Sequence, residues 1–128
     1  MNHLCSVIVE GNITRDPELK RTNSGGSVCT FTIASDRFFR KGSLVEKEVS
    51  FFEVQAWDRL AEMVGKYGYK GREVRVTGRL KQDRWEGQDG SPRSKVVIVA
   101  ENIEMRPVNK QDGIRAEEGI DEEINSTE

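Results

Sequence analysis

At 128 residues, with 35% hydrophobic and 33% charged side chains, the chain has room for one soluble domain with a modest core and a terminal segment. No apolar run approaches the roughly 18–20 residues of a membrane span, and no charged-then-apolar leader precedes the first strand, so a cytoplasmic protein is expected. The net charge of −2 divides near Lys110: residues 1–110 carry 19 Lys plus Arg against 15 Asp plus Glu, whereas residues 111–128 carry Arg115 against seven acids. A mildly basic body (+4) followed by an acidic tail (−6) is the asymmetry of a nucleic-acid module with a solvated appendage.

Leu4 to Ile13 is rich in β-formers, and Pro17 interrupts the pattern after Thr14-Arg15-Asp16. Ser24-Gly25-Gly26 reads as a turn. From Val28 to Ala34, Cys29, Phe31 and Ile33 alternate with Thr30 and Thr32, the pattern of a half-buried strand. Cys5 and Cys29 both fall in apolar, strand-like stretches and are expected to be buried, reduced thiols.

The basic loop Arg40-Lys41-Gly42-Ser43 leads into a third strand that carries the most informative feature of the chain. Along Val49 to Trp57, Phe52, Val54 and Ala56 share one face, while Phe51, Glu53, Gln55 and Trp57 share the other. Two large aromatics therefore stand among polar residues. Burying such a side chain is worth roughly 1.5–3 kcal/mol, so showing two of them to water reserves them for a flat ligand or for another subunit.

Asp58 is placed to cap a helix running to about Tyr69, whose apolar stripe is Leu60, Met63, Val64 and Tyr67. Val74, Val76, Gly78 and Leu80 then alternate with Arg75, Thr77, Arg79 and Lys81, giving a strand with one apolar and one basic face. Without a bulge, the same parity carries Asp83 and Trp85 onto the basic side. Gln88-Asp89-Gly90-Ser91 turns the chain, and Lys95 to Ile103 returns as the last strand. Three strands, a helix and a two-strand hairpin are the order of an OB fold: an all-β, five-stranded Greek-key barrel with one helix between the third and fourth strands.

Four segments in series resemble the bacterial single-stranded DNA-binding proteins: Val9-Glu10-Gly11-Asn12-Ile13-Thr14-Arg15-Asp16-Pro17-Glu18-Leu19, Ser24 to Val28, Lys70 to Leu80, and Trp85-Glu86-Gly87-Gln88-Asp89-Gly90. The resemblance covers about residues 4–106. It implies a homotetramer of OB barrels that binds and protects single-stranded DNA without strong sequence preference during replication, recombination and repair, with no enzymatic activity and no cofactor. It places base stacking on Phe39, Phe51, Trp57 and Trp85. Strict alternation from Phe31 points Phe39 inward and Phe38 outward, and a bulge is needed to exchange them. Phosphate contacts are expected from Arg59, Lys70, Arg75, Arg79, Lys81 and Arg84, which cluster in sequence around the aromatics.

The expected organisation is an OB-fold domain over 1–109 and a short acidic, disordered tail over 110–128. The tail keeps the acidic character by which relatives recruit replication and repair proteins, but it ends Asp121 to Glu128 without the usual proline and aromatic. Glu53 and Asp83 place acids inside the proposed binding face, another departure from the family pattern. A primosomal replication protein and an RNA-binding OB module share much of this pattern and stand as alternatives. Catalysis has little support: His3 is the sole histidine, no His/Cys spacing suits a metal, and no phosphate-cradling Gly-Lys-Ser/Thr loop occurs.

Overall fold

Four strands of 14 or 15 residues, joined as two hairpins, dominate the computed structural model, which describes residues 1–107. The elements are β1 (Val7–Ile13), β2 (Glu18–Arg21), β3 (Ser27–Lys41), β4 (Leu44–Trp57), α1 (Arg59–Tyr67), β5 (Glu73–Glu86) and β6 (Pro92–Met105). The strands are ordered β1-β5-β6-β4-β3-β2, and a further β1–β3 pairing closes the sheet on itself. Leaving aside β2, this is the five-stranded Greek-key barrel expected from the sequence, with α1 between the third and fourth barrel strands.

Closure depends on two glycines. A Cβ at Gly11 would lie 2.6 Å from the Ala34 carbonyl oxygen where β1 crosses onto β3, and one at Gly78 would collide with the Val99 carbonyl. Beside Gly78 the β5–β6 register slips: Thr77 faces Asn102, while Gly78 faces Ala100. Glu101 is thus the extra residue of a bulge in β6, and the alternation of β5 itself runs unbroken from Arg75 to Trp85.

Inside the barrel, Phe31, Ile33, Val54, Val74, Val76, Ile98 and Ile103 form a core that α1 plugs with Ala61, Val64 and Tyr67. Leu60 and Met63 pack against it from the rim, so the whole predicted stripe faces inward. Phe52 keeps the inward parity but sits where β4 leaves the barrel and is half exposed.

Four local expectations are corrected. The edge strand β2 pairs with β3 from Glu18↔Thr30 to Arg21↔Ser27, although its exposed side chains show no alternation. Helix α1 stops at Tyr67 rather than Tyr69: Gly68 is already extended, with its N–H on the Val64 carbonyl at 2.8 Å. Asp58 precedes the helix at φ 53° without a side-chain cap, and its carboxylate instead accepts the Ser27 N–H at 3.2 Å, tying the helix start to β3. Cys29 is fully buried, which pushes its thiol pKa up, but Cys5 precedes β1 and is exposed. The acidic segment 110–128 lies outside the described residues.

Candidate nucleic-acid interface

The register of β3 and β4 is continuous from Val28↔Trp57 to Lys41↔Leu44. Paired residues share a face, so Val28, Thr30, Thr32, Ala34 and Phe38 lie on the side of Phe51, Glu53, Gln55 and Trp57. The opposite side carries Phe31, Ile33, Val54 and Ala56, all buried. Phe51 is 66% exposed and Trp57 43%. Both aromatics therefore stand on the outer wall, as alternation requires.

On its other side β4 runs parallel to β6, with Val54 beside Ile98 and Gln55 beside Val99. Across β6, Val99 faces Arg79, Val97 faces Lys81, Lys95 faces Asp83 and Arg93 faces Trp85. The outer faces of β4, β6 and β5 thus form one surface. Val97 and Val99 are buried on it, yet neither belongs to the barrel core. Polar bridges between the strands cross the same surface: Gln55 Nε2 donates to Asp83 Oδ2 at 3.0 Å, and Lys95 Nζ donates to both Glu53 oxygens at 3.1 and 2.9 Å. Lys81 pairs with Asp83 at 3.2 Å, and this bond chiefly holds the Asp83 carboxyl below its usual pKa. The Lys95 ammonium also lies 5.9 Å from the centroid of Trp85, which is 48% exposed.

Phe51, Trp57 and Trp85 are therefore brought to one face, interleaved with Lys81 and Lys95. Flat π-surfaces and cations in alternation suit a polyanion whose bases are unpaired. An unbroken register leaves no bulge to exchange the two hairpin phenylalanines: Phe38 is exposed beside the Phe51 face, and Phe39 is half buried on the other side with the Arg37 guanidinium 5.1 Å from its ring centre.

The predicted phosphate contacts separate into distinct groups. Arg79 and Lys81 share the outer parity of Trp85, and Arg59 opens α1 two residues after Trp57. None of the ion pairs among the described residues engages Arg59 or Arg79. Arg84 has the opposite parity and donates to Gln82 at 2.9 Å. Lys70 sits in the α1–β5 loop, where its backbone N–H bonds Asp16 at 2.7 Å. Arg75 is committed to Glu10 at 2.8 Å, a contact Arg106 shares at the same distance, and the two arginines hold the Glu10 carboxyl below its usual pKa. A polar depression of about 200 Å³ lined by Arg75, Glu104, Met105 and Arg106 lies in that region and includes none of the aromatics.

Lys95 and Gln55 are absent from the sequence-based set. Counting outward from Asp89-Gly90 would have found Lys95, because a tight hairpin pairs residues symmetrically about its turn and so sets Lys95 against Asp83.

Comparison with known proteins gives the family and the fold. The model of the "Single-strand binding protein family" matches residues 4–106. The chain belongs to that family. Among curated members of the single-strand binding protein family, the single-stranded DNA-binding protein of Treponema pallidum is 41% identical over 119 residues, covering 93% of this chain and 65% of the relative. Single-stranded DNA-binding protein 2 of Chlorobaculum tepidum is 38% identical over 125 residues, covering 96% of this chain and 84% of the relative. The fold is shared with the structure titled "Plasmodium falciparum SSB complex with ssDNA", at a TM-score of 0.75 and 22% identity, over 83% of this chain and 97% of that one. Among the described residues no helix is long and apolar enough to cross a membrane, and no cluster of three His, Cys, Asp or Glu could hold a metal.

Proposed function

We propose that this chain binds single-stranded DNA without strong sequence preference, by stacking bases on Phe51, Trp57, Trp85 and Phe38 and neutralising phosphates with Arg59, Arg79, Lys81 and Lys95. The observation that carries the reading is the convergence of three exposed aromatics from two hairpins onto one lysine-bearing outer face. Phe39, stacked under Arg37, flanks the same hairpin from its other side and serves bases that pass around the tip. Lys70, Arg75 and Arg84 contribute at most long-range attraction, because they lie in the α1–β5 loop, in the Glu10 ion pairs and on the opposite parity respectively.

The role is binding and protection during replication, recombination and repair rather than turnover, and the setting is the bacterial cytoplasm and nucleoid. Family membership and the outward Leu4 and Ile8 support a homotetramer. The domain over 1–109 carries the DNA, and the acidic segment 110–128 recruits replication and repair proteins; removing residues 111–128 should abolish that recruitment while leaving oligonucleotide binding intact.

Tryptophan fluorescence tests the central reading. Single-stranded oligothymidine should quench strongly and duplex DNA weakly, with a salt slope near −0.7 per neutralised phosphate. Equal quenching by duplex would refute base stacking, and stronger binding of an RNA of equal length would reassign the module to RNA.

A further inference from the structure

Two acids stand inside the aromatic face, and each already holds a lysine of that face. Glu53 lies between Phe51 and Gln55 along the outer side of β4 and grips Lys95 through both carboxylate oxygens, at 3.1 and 2.9 Å. Asp83, two residues before Trp85, takes the Lys81 ammonium at 3.2 Å and the Gln55 amide at 3.0 Å. The Lys95 ammonium at the same time lies over the Trp85 ring, at 5.9 Å from its centroid. The two lysines best placed to meet phosphates beside stacked bases therefore carry their counter-charges on their own chain.

We propose that Glu53 and Asp83 are built-in competitors for phosphate: in the free protein they occupy Lys95 and Lys81, and a bound strand displaces them. This rests on the single-stranded DNA reading above. Both pairs are partly exposed, with the Glu53 and Asp83 side chains 29% and 25% accessible, so solvent and salt weaken them enough for a phosphate to take their place. The displaced carboxylates remain beside the strand. Each then offsets part of the attraction its lysine supplies, so the track binds more weakly, and with a shallower salt dependence, than its cations alone would give. The arrangement restrains attachment to any polyanion that cannot add stacking on Trp57 and Trp85.

The test is a salt series of oligothymidine titrations, read by tryptophan fluorescence, on the full chain. Glu53→Gln keeps the side-chain shape and removes the charge. It should tighten binding by about three- to tenfold at low salt and steepen the slope by about 0.7, the increment for one phosphate. Asp83→Asn should do the same through Lys81. In a Lys95→Gln background the gain from Glu53→Gln should disappear, because its lysine is gone. Glu53→Gln binding no tighter than the native chain overturns the proposal, as does an equal gain in the Lys95→Gln background, which would reveal general repulsion instead of competition for one lysine. Thermal unfolding checks the fold of each variant, and Glu53→Ala repeats the test should Glu53→Gln be unstable. Failure of the native chain to bind oligothymidine removes the functional reading with it; native binding without a Glu53→Gln gain removes this inference alone.

Discussion

Two groups of cations lie on the outer wall of the barrel, and they are held in different ways. On one side, Arg75 and Arg106 converge on the single carboxylate of Glu10, each at 2.8 Å, and so fasten β1 and β5 to the end of β6. On the other, Lys81 and Lys95 pair with Asp83 and Glu53 amid Phe51, Trp57 and Trp85. An arginine fork shared over one carboxylate suits a strut, because charge-assisted bonds in fixed geometry resist exchange. A flexible lysine beside an exposed ring suits a ligand. The charge pattern along β5 looks uniform from Arg75 to Lys81, yet it spans both groups, so counting cations along one strand cannot separate support from recognition.

The sharpest separation is expected from the aromatics. Trp57→Ala and Trp85→Ala should each weaken oligothymidine binding by about 1–3 kcal/mol, a range established on single-strand-binding OB folds themselves, while unfolding temperatures stay close to native. A collapsed fold would instead make the tryptophans core. Phe38→Ala should cost about 1 kcal/mol of binding and exceed Phe39→Ala in a parallel titration, because only Phe38 shares the parity of Phe51. The reverse order would mean that the strand wraps the other side of the hairpin.

Smaller effects divide the cations. Arg79→Gln should weaken binding a few-fold and lower the salt slope by about 0.7, whereas Arg75→Gln should leave both unchanged. Titrations at several salt concentrations decide between them, and equal losses would erase the distinction between the two groups. The smallest effect is expected at Glu10. Its folded pKa is held below the usual carboxylate value by Arg75 and Arg106, so the ionised group stabilises the native state above that value and loses this contribution as pH falls through the lowered pKa. Glu10→Gln should therefore unfold slightly more easily than the native chain at neutral pH and match it in acid, with oligonucleotide binding unaltered. Thermal melts across pH would show the two curves converging.

Much of the candidate site was legible because a β-strand encodes its two faces in every second residue. That rule alone put Phe51 and Trp57 outside, Val54 and Ala56 inside, and Trp85 on the side of Arg79, all as found. The turn at Asp89-Gly90 and the inward stripe of α1 were equally local. Where resemblance favoured Phe39, alternation favoured Phe38, and the continuous register sides with alternation in placing Phe38 beside Phe51. Other features were not written locally. Strand β2 has no alternating pattern because, as an edge strand, it buries neither face fully. Asp58 resembles a helix cap but serves Ser27, 31 residues away.

Residue pattern by itself determined the two faces of β4 and β5, how many barrel strands form, and that aromatics and cations share an outer surface, because period-two alternation and turn chemistry act over a few neighbouring residues. Partnership was decided only in three dimensions. Glu53 meets Lys95 across 42 positions, Gln55 meets Asp83 across 28, and Glu10 meets Arg106 across 96, each through barrel closure and the parallel seating of β6 beside β4. Closure brings together strands distant in sequence, and charges act on whatever lies within a few ångströms in space. The tertiary fold thus separated the cations that brace β1 and β5 around Glu10 from those paired with acids on the aromatic face.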